Sequence, residues 1–137
     1  MRRLVDLLHD GGYSLVVESA DGVISTYRGR GVSDLYQLYT ETPNVLRGAR
    51  TADKVVGAGA AVLMVVSGVR QYYVDVISRR ALSILDEAGI KGEYAVLVEH
   101  IINRAGTGRC PLESRLDGVV GLSQMTEVVR DFVASMK

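Results

Sequence analysis

Residues 52–78 decide the predicted fold, and they read ADKVVGAGAAVLMVVSGVRQYYVDVIS. From about Asp53 to Ser67 the chain is apolar nearly all round, which predicts a buried central helix that Gly68 ends. The apolar run is shorter than the ~20 residues that a membrane-spanning helix needs, so no contact with a membrane is expected. Alternation between two faces from Gln71 to Ile77 predicts a strand. A buried helix followed by a strand indicates an α/β fold.

Shorter elements surround this helix and strand. The sequence pattern predicts helices over Arg2–Asp10, from Ser33 or Asp34 through Tyr39 and over Arg79–Ala88, a hairpin of Ser14–Ser19 and Val23–Arg28, and a strand at Tyr94–Val98. It further predicts a loop from Val45 to Thr51, a short helical turn from Pro111 and a last helix after Ser123. A hairpin followed by alternating helices and strands predicts a mixed sheet with helices on both faces. This is an α/β/α three-layer sandwich.

Composition limits the class of protein. The 137 residues fit a single domain that spans 1–137, and the hydrophobic content of 47% predicts a packed core. Because 16 basic residues balance 16 acidic residues, no nucleic-acid partner is expected. One cysteine excludes an internal disulfide, and the N-terminal residues lack the apolar region of a signal peptide. A cytoplasmic location is therefore expected.

A segment rich in glycine and arginine carries the strongest candidate site. It reads NRAGTGRCPLE over residues 103–113 and contains the only cysteine. Glycines let a backbone approach a ligand closely, and arginines hold planar anions. Asn103 and Arg104 are expected at the end of a strand, which is where ligands gather in α/β sheets. Arg104 is the expected contact to an anion, with a surface salt bridge as the alternative.

Cys110 and Glu113 lie at the short helix that Pro111 is expected to open. A thiol at a helix N-terminus beside Arg109 can be activated as a nucleophile, but lone intracellular cysteines are usually buried and inert. Glu113 fits the third helical position, where a carboxylate supports the helix dipole. Together with Gly108, both residues are candidates for binding a ligand.

Three charged residues of the central helix and strand are further candidates. Asp53 is well placed to cap the predicted helix, whereas the helix dipole disfavours Lys54 in the first turn. Lys54 would be favourable at this position if it bound an anionic ligand. Alternatively, its side chain reaches solvent or pairs with Asp75. Asp75 on the strand needs a partner such as Lys54 or Arg104, either in a structural ion pair or as a catalytic base.

Four motifs cover most of the chain: ADKVVG at 52–57, YVDVIS at 73–78, INR at 102–104 and GRCPLE at 108–113. Together they resemble a family of small uncharacterised prokaryotic proteins with a cytidine deaminase-like fold. The resemblance implies a relation to zinc deaminases, which hold zinc with a His or Cys and a Pro-Cys-x-x-Cys pair. This chain has ADK and CPLE at those places. No metal site, no cofactor and no zinc-dependent deamination are therefore expected.

Three functions remain open from the sequence. The favoured one is a domain that binds a small anionic ligand, nucleotide-like or phosphorylated. Its pocket would form where five basic residues converge, namely Arg47, Arg50, Lys54, Arg104 and Arg109. The second is a metal-independent enzyme that uses Asp53, Lys54, Asp75 or Cys110. The third is an interaction module that forms a homodimer through exposed apolar surface.

Overall fold

The computed structural model describes residues 1–29, 32–102 and 108–135. Within them, seven helices and five strands follow in the order α1 (Arg2–Asp10), β1 (Leu15–Glu18), β2 (Ile24–Tyr27), α2 (Ser33–Glu41), α3 (Pro43–Leu46), β3 (Arg50–Val56), α4 (Ala58–Ser67), β4 (Gln71–Ser78), α5 (Arg79–Glu87), β5 (Lys91–Val98), α6 (Pro111–Arg115) and α7 (Leu122–Ser135).

The five strands form one mixed sheet in the order β2-β1-β3-β4-β5. β1 is antiparallel to β2 and to β3, whereas β3, β4 and β5 run parallel. α4 and α5 connect the parallel strands, and right-handed crossovers place both helices on the same face of the sheet. The predicted α/β class and mixed sheet are confirmed, and the cytidine deaminase-like fold stays a prediction.

Two hydrophobic cores lie on opposite faces of the sheet. Leu15 and Val17 of β1 belong to the larger core, which α2, α4, α5 and α7 cover, while Val16 belongs to the smaller core under α1. Alternate residues of one strand thus serve the two cores, as the pleat requires. α1 packs on β1 and β3. Positions 91–96 of β5 are exposed, so the sheet stays open beside α1.

α4 is the central helix of the larger core. Eight of its ten residues are buried, and the helix ends at Gly68, whose φ of 80° is left-handed, as the sequence predicts. Gly59 allows α6 to approach closely, because a Cβ at this position would overlap the side chain of Leu112. None of the helices in the described ranges combines the length and hydropathy needed to cross a bilayer.

The predicted helix start at Asp53 is wrong. Arg50–Val56 form β3, and α4 begins only at Ala58, after Gly57 in extended conformation. β1 and β4 supply hydrogen bonds on both sides of this segment, and that non-local pairing outweighs the local apolar pattern. The predicted loop over 45–51 is shorter in the structure and covers residues 47–49, because α3 ends at Leu46 and β3 begins at Arg50. β5 also begins three residues before the predicted strand at Tyr94.

Candidate functional site

Glu113 is the most strongly bonded side chain at the carboxyl ends of the parallel strands. Its Oε2 accepts hydrogen bonds from the backbone N–H of Ala58 at 2.9 Å and the hydroxyl of Ser78 at 2.7 Å. Its Oε1 accepts one from the backbone N–H of Ile101 at 2.7 Å. The residue is only 3% exposed. One carboxylate therefore joins α6 to the starts of α4 and α5 and to the segment after β5.

The local sequence explains why a carboxylate is stable in this position. Ala58 is the first residue of α4 and Gly57 precedes it, so the free N–H groups and the positive end of the helix dipole point to Glu113. Ser78 also accepts a hydrogen bond from the backbone N–H of Ala81 at 3.2 Å and thereby caps α5, as predicted. The carboxylate of Glu113 thus occupies the N-terminus of α4, where an anionic ligand could otherwise bind.

The residues just before α6 are held by neighbours in the same region. The N–H of Cys110 donates to the carbonyl of Ile101 at 2.7 Å, and the partly buried Cys110 packs against the larger core. Arg109 forms two hydrogen bonds to Asp117, at 2.7 and 2.9 Å. Its guanidinium is therefore already paired with a carboxylate.

Some of the predicted ligand contacts lie outside the described residues. Asn103 and Arg104 belong to this group. Lys54, Gly108, Cys110 and Glu113 are described, and their binding of a ligand stays a prediction.

The candidates on the sheet have partners that the sequence did not reveal. The Oδ1 of Asp75 accepts hydrogen bonds from the hydroxyl of Tyr73 at 2.7 Å and contacts the Nε2 of His9 at 2.8 Å. The hydrogen bond to Asp75 raises the pKa of Tyr73 to about 12. The expected ion pair of Asp75 with Lys54 is not formed. Tyr73 and His9 contact the Asp75 carboxylate instead, and the exposed Lys54 has no ion pair with another described residue. The contact between His9 and Asp75 connects the last turn of α1 to β4.

The sequence signal for this His9–Tyr73–Asp75 contact was partial. Strand alternation places Tyr73 and Asp75 on one face of β4, which the pattern predicted. Nothing in the sequence places the end of α1, and with it His9, over a strand more than sixty residues later. The contact stabilises the position of α1 and presents a half-exposed imidazole to solvent.

Asp53 lies on β3 and not at a helix start, so it does not cap α4. It is partly buried, its Oδ1 accepts a hydrogen bond from the N–H of Val55 at 3.2 Å, and burial raises its pKa to about 7. Because the ordinary pKa of an aspartate is near 4, the folded chain keeps a proton that the unfolded chain loses between pH 4 and pH 7. The ionised form of this residue therefore opposes folding at neutral and higher pH.

Replacing Asp53 with Asn is expected to stabilise the protein above pH 7. We expect ionisation of Asp53 to lower the wild-type free energy of unfolding by about 2 kcal/mol from pH 4 to pH 7. A fully buried carboxyl would give a larger decrease, but Asp53 is only partly buried. Asn keeps the acceptor for Val55 and cannot ionise, so the difference between variant and wild type should grow over this range. Urea unfolding at pH 4, 6 and 8 measures it. A constant difference would contradict the assignment.

A basic pocket lies at the opposite end of the parallel strands. Arg50, Gln71 and Lys91 stand in register across β3, β4 and β5. Together with Arg70 and Gly89 they line an open depression of about 280 Å³, which we call the basic pocket. Backbone hydrogen bonds hold its wall, since the N–H of Arg70 donates to the carbonyl of Ala49 at 2.8 Å.

The charges of the basic pocket are only partly balanced by the described residues. The guanidinium of Arg50 lies 3.8 Å from the carboxylate of Glu18, and its buried Nε has no hydrogen-bond partner within the described ranges. Arg70 and Lys91 form no ion pair with any residue that the structure describes. The pocket therefore offers donors to an anion.

Three of the basic residues that were expected to converge lie at different levels of the sheet. Arg50 opens β3 at its amino end, whereas Lys54 lies four residues further along the same strand. Arg109 lies beyond the carboxyl ends of the strands, where it pairs with Asp117. A strand rises ~3.3 Å per residue, so the Cα atoms of Arg50 and Lys54 lie ~13 Å apart along β3. Within residues 1–29, 32–102 and 108–135, no three His, Cys, Asp or Glu side chains cluster closely enough to hold a metal ion.

Comparison with known proteins gives a family and a fold. Residues 3–133 match the model of the TM1506 family, a domain of unknown function also called DUF1893. A crystal structure of a DUF1893 family protein (TM1506) from Thermotoga maritima is similar in fold, with a TM-score of 0.84 and 22% sequence identity over 98% of this chain and 88% of that chain. No curated protein matches the sequence. The chain belongs to the TM1506 (DUF1893) family, a domain of unknown function.

Proposed function

We propose that the protein is a binding domain for a small anionic ligand and that the anionic group lies in the basic pocket. In this proposal the chain is a relative of the deaminases that binds a ligand without zinc chemistry, since it lacks the Pro-Cys-x-x-Cys pair. The charge balance of the pocket supports the proposal. Three cations line the pocket, none of its lining residues is acidic, and Arg70 and Lys91 have no acidic partner in the described part of the chain.

A phosphate-type anion suits this arrangement. The planar guanidinium of an arginine donates two parallel hydrogen bonds to such an anion, and a lysine adds a compact charge. The buried Nε of Arg50 is a further donor that still needs an acceptor. Gln71 stands between Arg50 and Lys91, and its amide can donate to the same group.

The size of the pocket narrows the class of ligand. Its volume of about 280 Å³ is just below the range of ligand sites, which runs from about 300 to 1,000 Å³. It accommodates a phosphate or a small phosphorylated metabolite. A nucleotide-like ligand would place only a phosphate there, with its other atoms over the open face of β4 and β5.

The carboxyl ends of the strands are the competing location. Lys54, Cys110 and Glu113 would bind the ligand there. In the alternative of a metal-independent enzyme, Asp53, Lys54, Asp75 or Cys110 would act there. Glu113 already accepts the N–H of Ala58. A second anion beside this carboxylate meets like-charge repulsion, which favours the basic pocket.

Isothermal titration of the protein with inorganic phosphate and pyrophosphate at low ionic strength tests the proposal. Arg70→Ala and Lys91→Ala are each expected to weaken binding about ten- to hundredfold, because each removes a charge-assisted hydrogen bond worth about 1.5–3 kcal/mol. Both side chains are exposed, so the fold should be retained. Binding should also weaken as salt is added.

Lys54→Ala is the matched control, because Lys54 is an exposed cation of the same sheet outside the basic pocket. We expect this variant to bind phosphate as the wild type does. Loss of binding in Lys54→Ala with full binding in Arg70→Ala would move the site to the carboxyl ends. Absence of heat with either anion in the wild type would reject the function itself.

A further inference from the structure

β5 is an edge strand that the described part of the chain leaves uncovered. Its eight residues pair with β4 on one side, and no other described strand pairs with it on the other. Positions 91–96 are all exposed, including Tyr94 at 40% and Val96 at 49%. The opposite edge, β2, has only four residues. Long open edges are usually shortened, charged or covered in soluble proteins, which points to a partner for β5.

The sequence of β5 has no protecting feature in its second half. Lys91 and Glu93 are its only charged residues, and Tyr94 to Val98 are all apolar. Val96 continues an apolar row across the sheet, because it stands in register with Val76 of β4 and Val55 of β3. Val55 is itself 46% exposed. A strand added to this edge would extend the row and bury it.

We propose that the partner is a second copy of this chain, bound through antiparallel pairing of the two β5 strands about a twofold axis at Ala95. In a strand that pairs in parallel on one side, only alternate residues direct N–H and C=O to the free side. Residues that face each other across the new pair must therefore both have odd numbers or both have even numbers. The register centred on Ala95 fulfils this condition.

This register is self-complementary in charge and shape. It places Lys91 opposite Glu99 of the second copy, which follows β5 and pairs with Arg79 of its own chain at 2.8 Å, so Lys91 would share this carboxylate at both ends of the paired segment. Tyr94 lies opposite Val96 of the second copy, an aromatic and β-branched pair of the kind that stabilises sheets. Two copies of a chain with zero net charge do not repel each other strongly. Ammonium groups have three donors, so Lys91 can contact Glu99 and an anion in the basic pocket together.

Sedimentation equilibrium of the intact chain in phosphate-free buffer measures the association. We expect a dimer, and we expect Val96→Lys to be a monomer, because two lysines would enter the apolar middle of the pair. Val120→Lys is the control, since Val120 is 81% exposed and lies outside β5. It should remain a dimer. A wild type that is a monomer at about 100 µM would overturn the proposal, as would a dimer that Val96→Lys leaves intact.

A cysteine at the axis tests the register. In a Cys110→Ser background, Ala95→Cys is expected to form a disulfide-linked dimer, because directly opposed residues have Cα atoms about 4.5–5.5 Å apart, within disulfide range. Glu93→Cys should stay unlinked, since the two copies of residue 93 would be about 13 Å apart. Equal linkage at both positions, or none at Ala95→Cys, would contradict the register.

Discussion

Replacing Glu113 with Ala is expected to lower the free energy of unfolding by about 4 kcal/mol. The substitution leaves three donors without an acceptor, namely the buried N–H of Ala58, the buried hydroxyl of Ser78 and the partly buried N–H of Ile101. An unsatisfied buried polar group costs about 1–3 kcal/mol, and the hydrogen bond that joins α6 to the start of α4 is lost with the carboxylate. Urea unfolding measured by circular dichroism determines the loss.

Two further measurements separate the lost hydrogen bonds from a general effect of the substitution. Glu127 of α7 is exposed, so Glu127→Ala should change the free energy of unfolding by less than about 0.5 kcal/mol. Acetate should stabilise Glu113→Ala more than the wild type, because the variant has an empty site for a carboxylate. A loss below about 1 kcal/mol would show that the three donors do not depend on Glu113.

Replacing Tyr72 with Ala is expected to lower the free energy of unfolding by about 4 kcal/mol, since large-to-small changes of buried aromatic residues cost about 3–5 kcal/mol. Tyr72 is 2% exposed and is among the largest side chains of the larger core. Its ring covers Gly92 of β5, where a Cβ would overlap the ring atoms. The cavity left by Ala would therefore lie in the larger core, beside Gly92 of β5.

The neighbouring Tyr73 is the matched control for Tyr72. Tyr73 is a tyrosine of the same strand, but it faces the smaller core and is only partly buried. Tyr73→Ala should cost about half as much, because less apolar area returns to water. Thermal and urea unfolding of both variants provide the comparison. Equal losses would contradict the position of the larger core on the Tyr72 side of β4.

Local signals in the sequence predicted the elements that depend on local interactions. α1 was predicted as observed, because an apolar stripe ends at a glycine pair. β4 was predicted to within one residue, and α5 was predicted from Ser78 as its cap. These signals lie within a few residues of the element they define.

β3 could not be predicted because its cause is non-local. Residues 50–56 carry no strong alternation, and the apolar residues that follow make the start of a helix the natural interpretation. What makes the segment a strand is the pairing with β1 on one side and β4 on the other. The errors about Asp53 and Lys54 follow from this one misassignment, since both were placed at a helix end.

The candidate site was predictable only in part for a similar reason. The helical position of Glu113 was inferred from Pro111, but its partners come from α4, α5 and the segment after β5. Arg50 was a candidate from the sequence, whereas Arg70 and Lys91 were not, because each is an ordinary cation beside a turn. Only the register of three strands brings these residues to one pocket.

The most direct test of an anion site in the basic pocket is a titration of the ¹⁵N-labelled protein with inorganic phosphate, followed by amide chemical shifts. We expect the largest shifts at the amides of Arg50, Arg70, Gln71 and Lys91, which line the pocket. The amides of Ala58, Cys110 and Glu113 should stay unchanged. The opposite result, with the largest shifts around Glu113 and none at Arg70 or Lys91, would contradict the account.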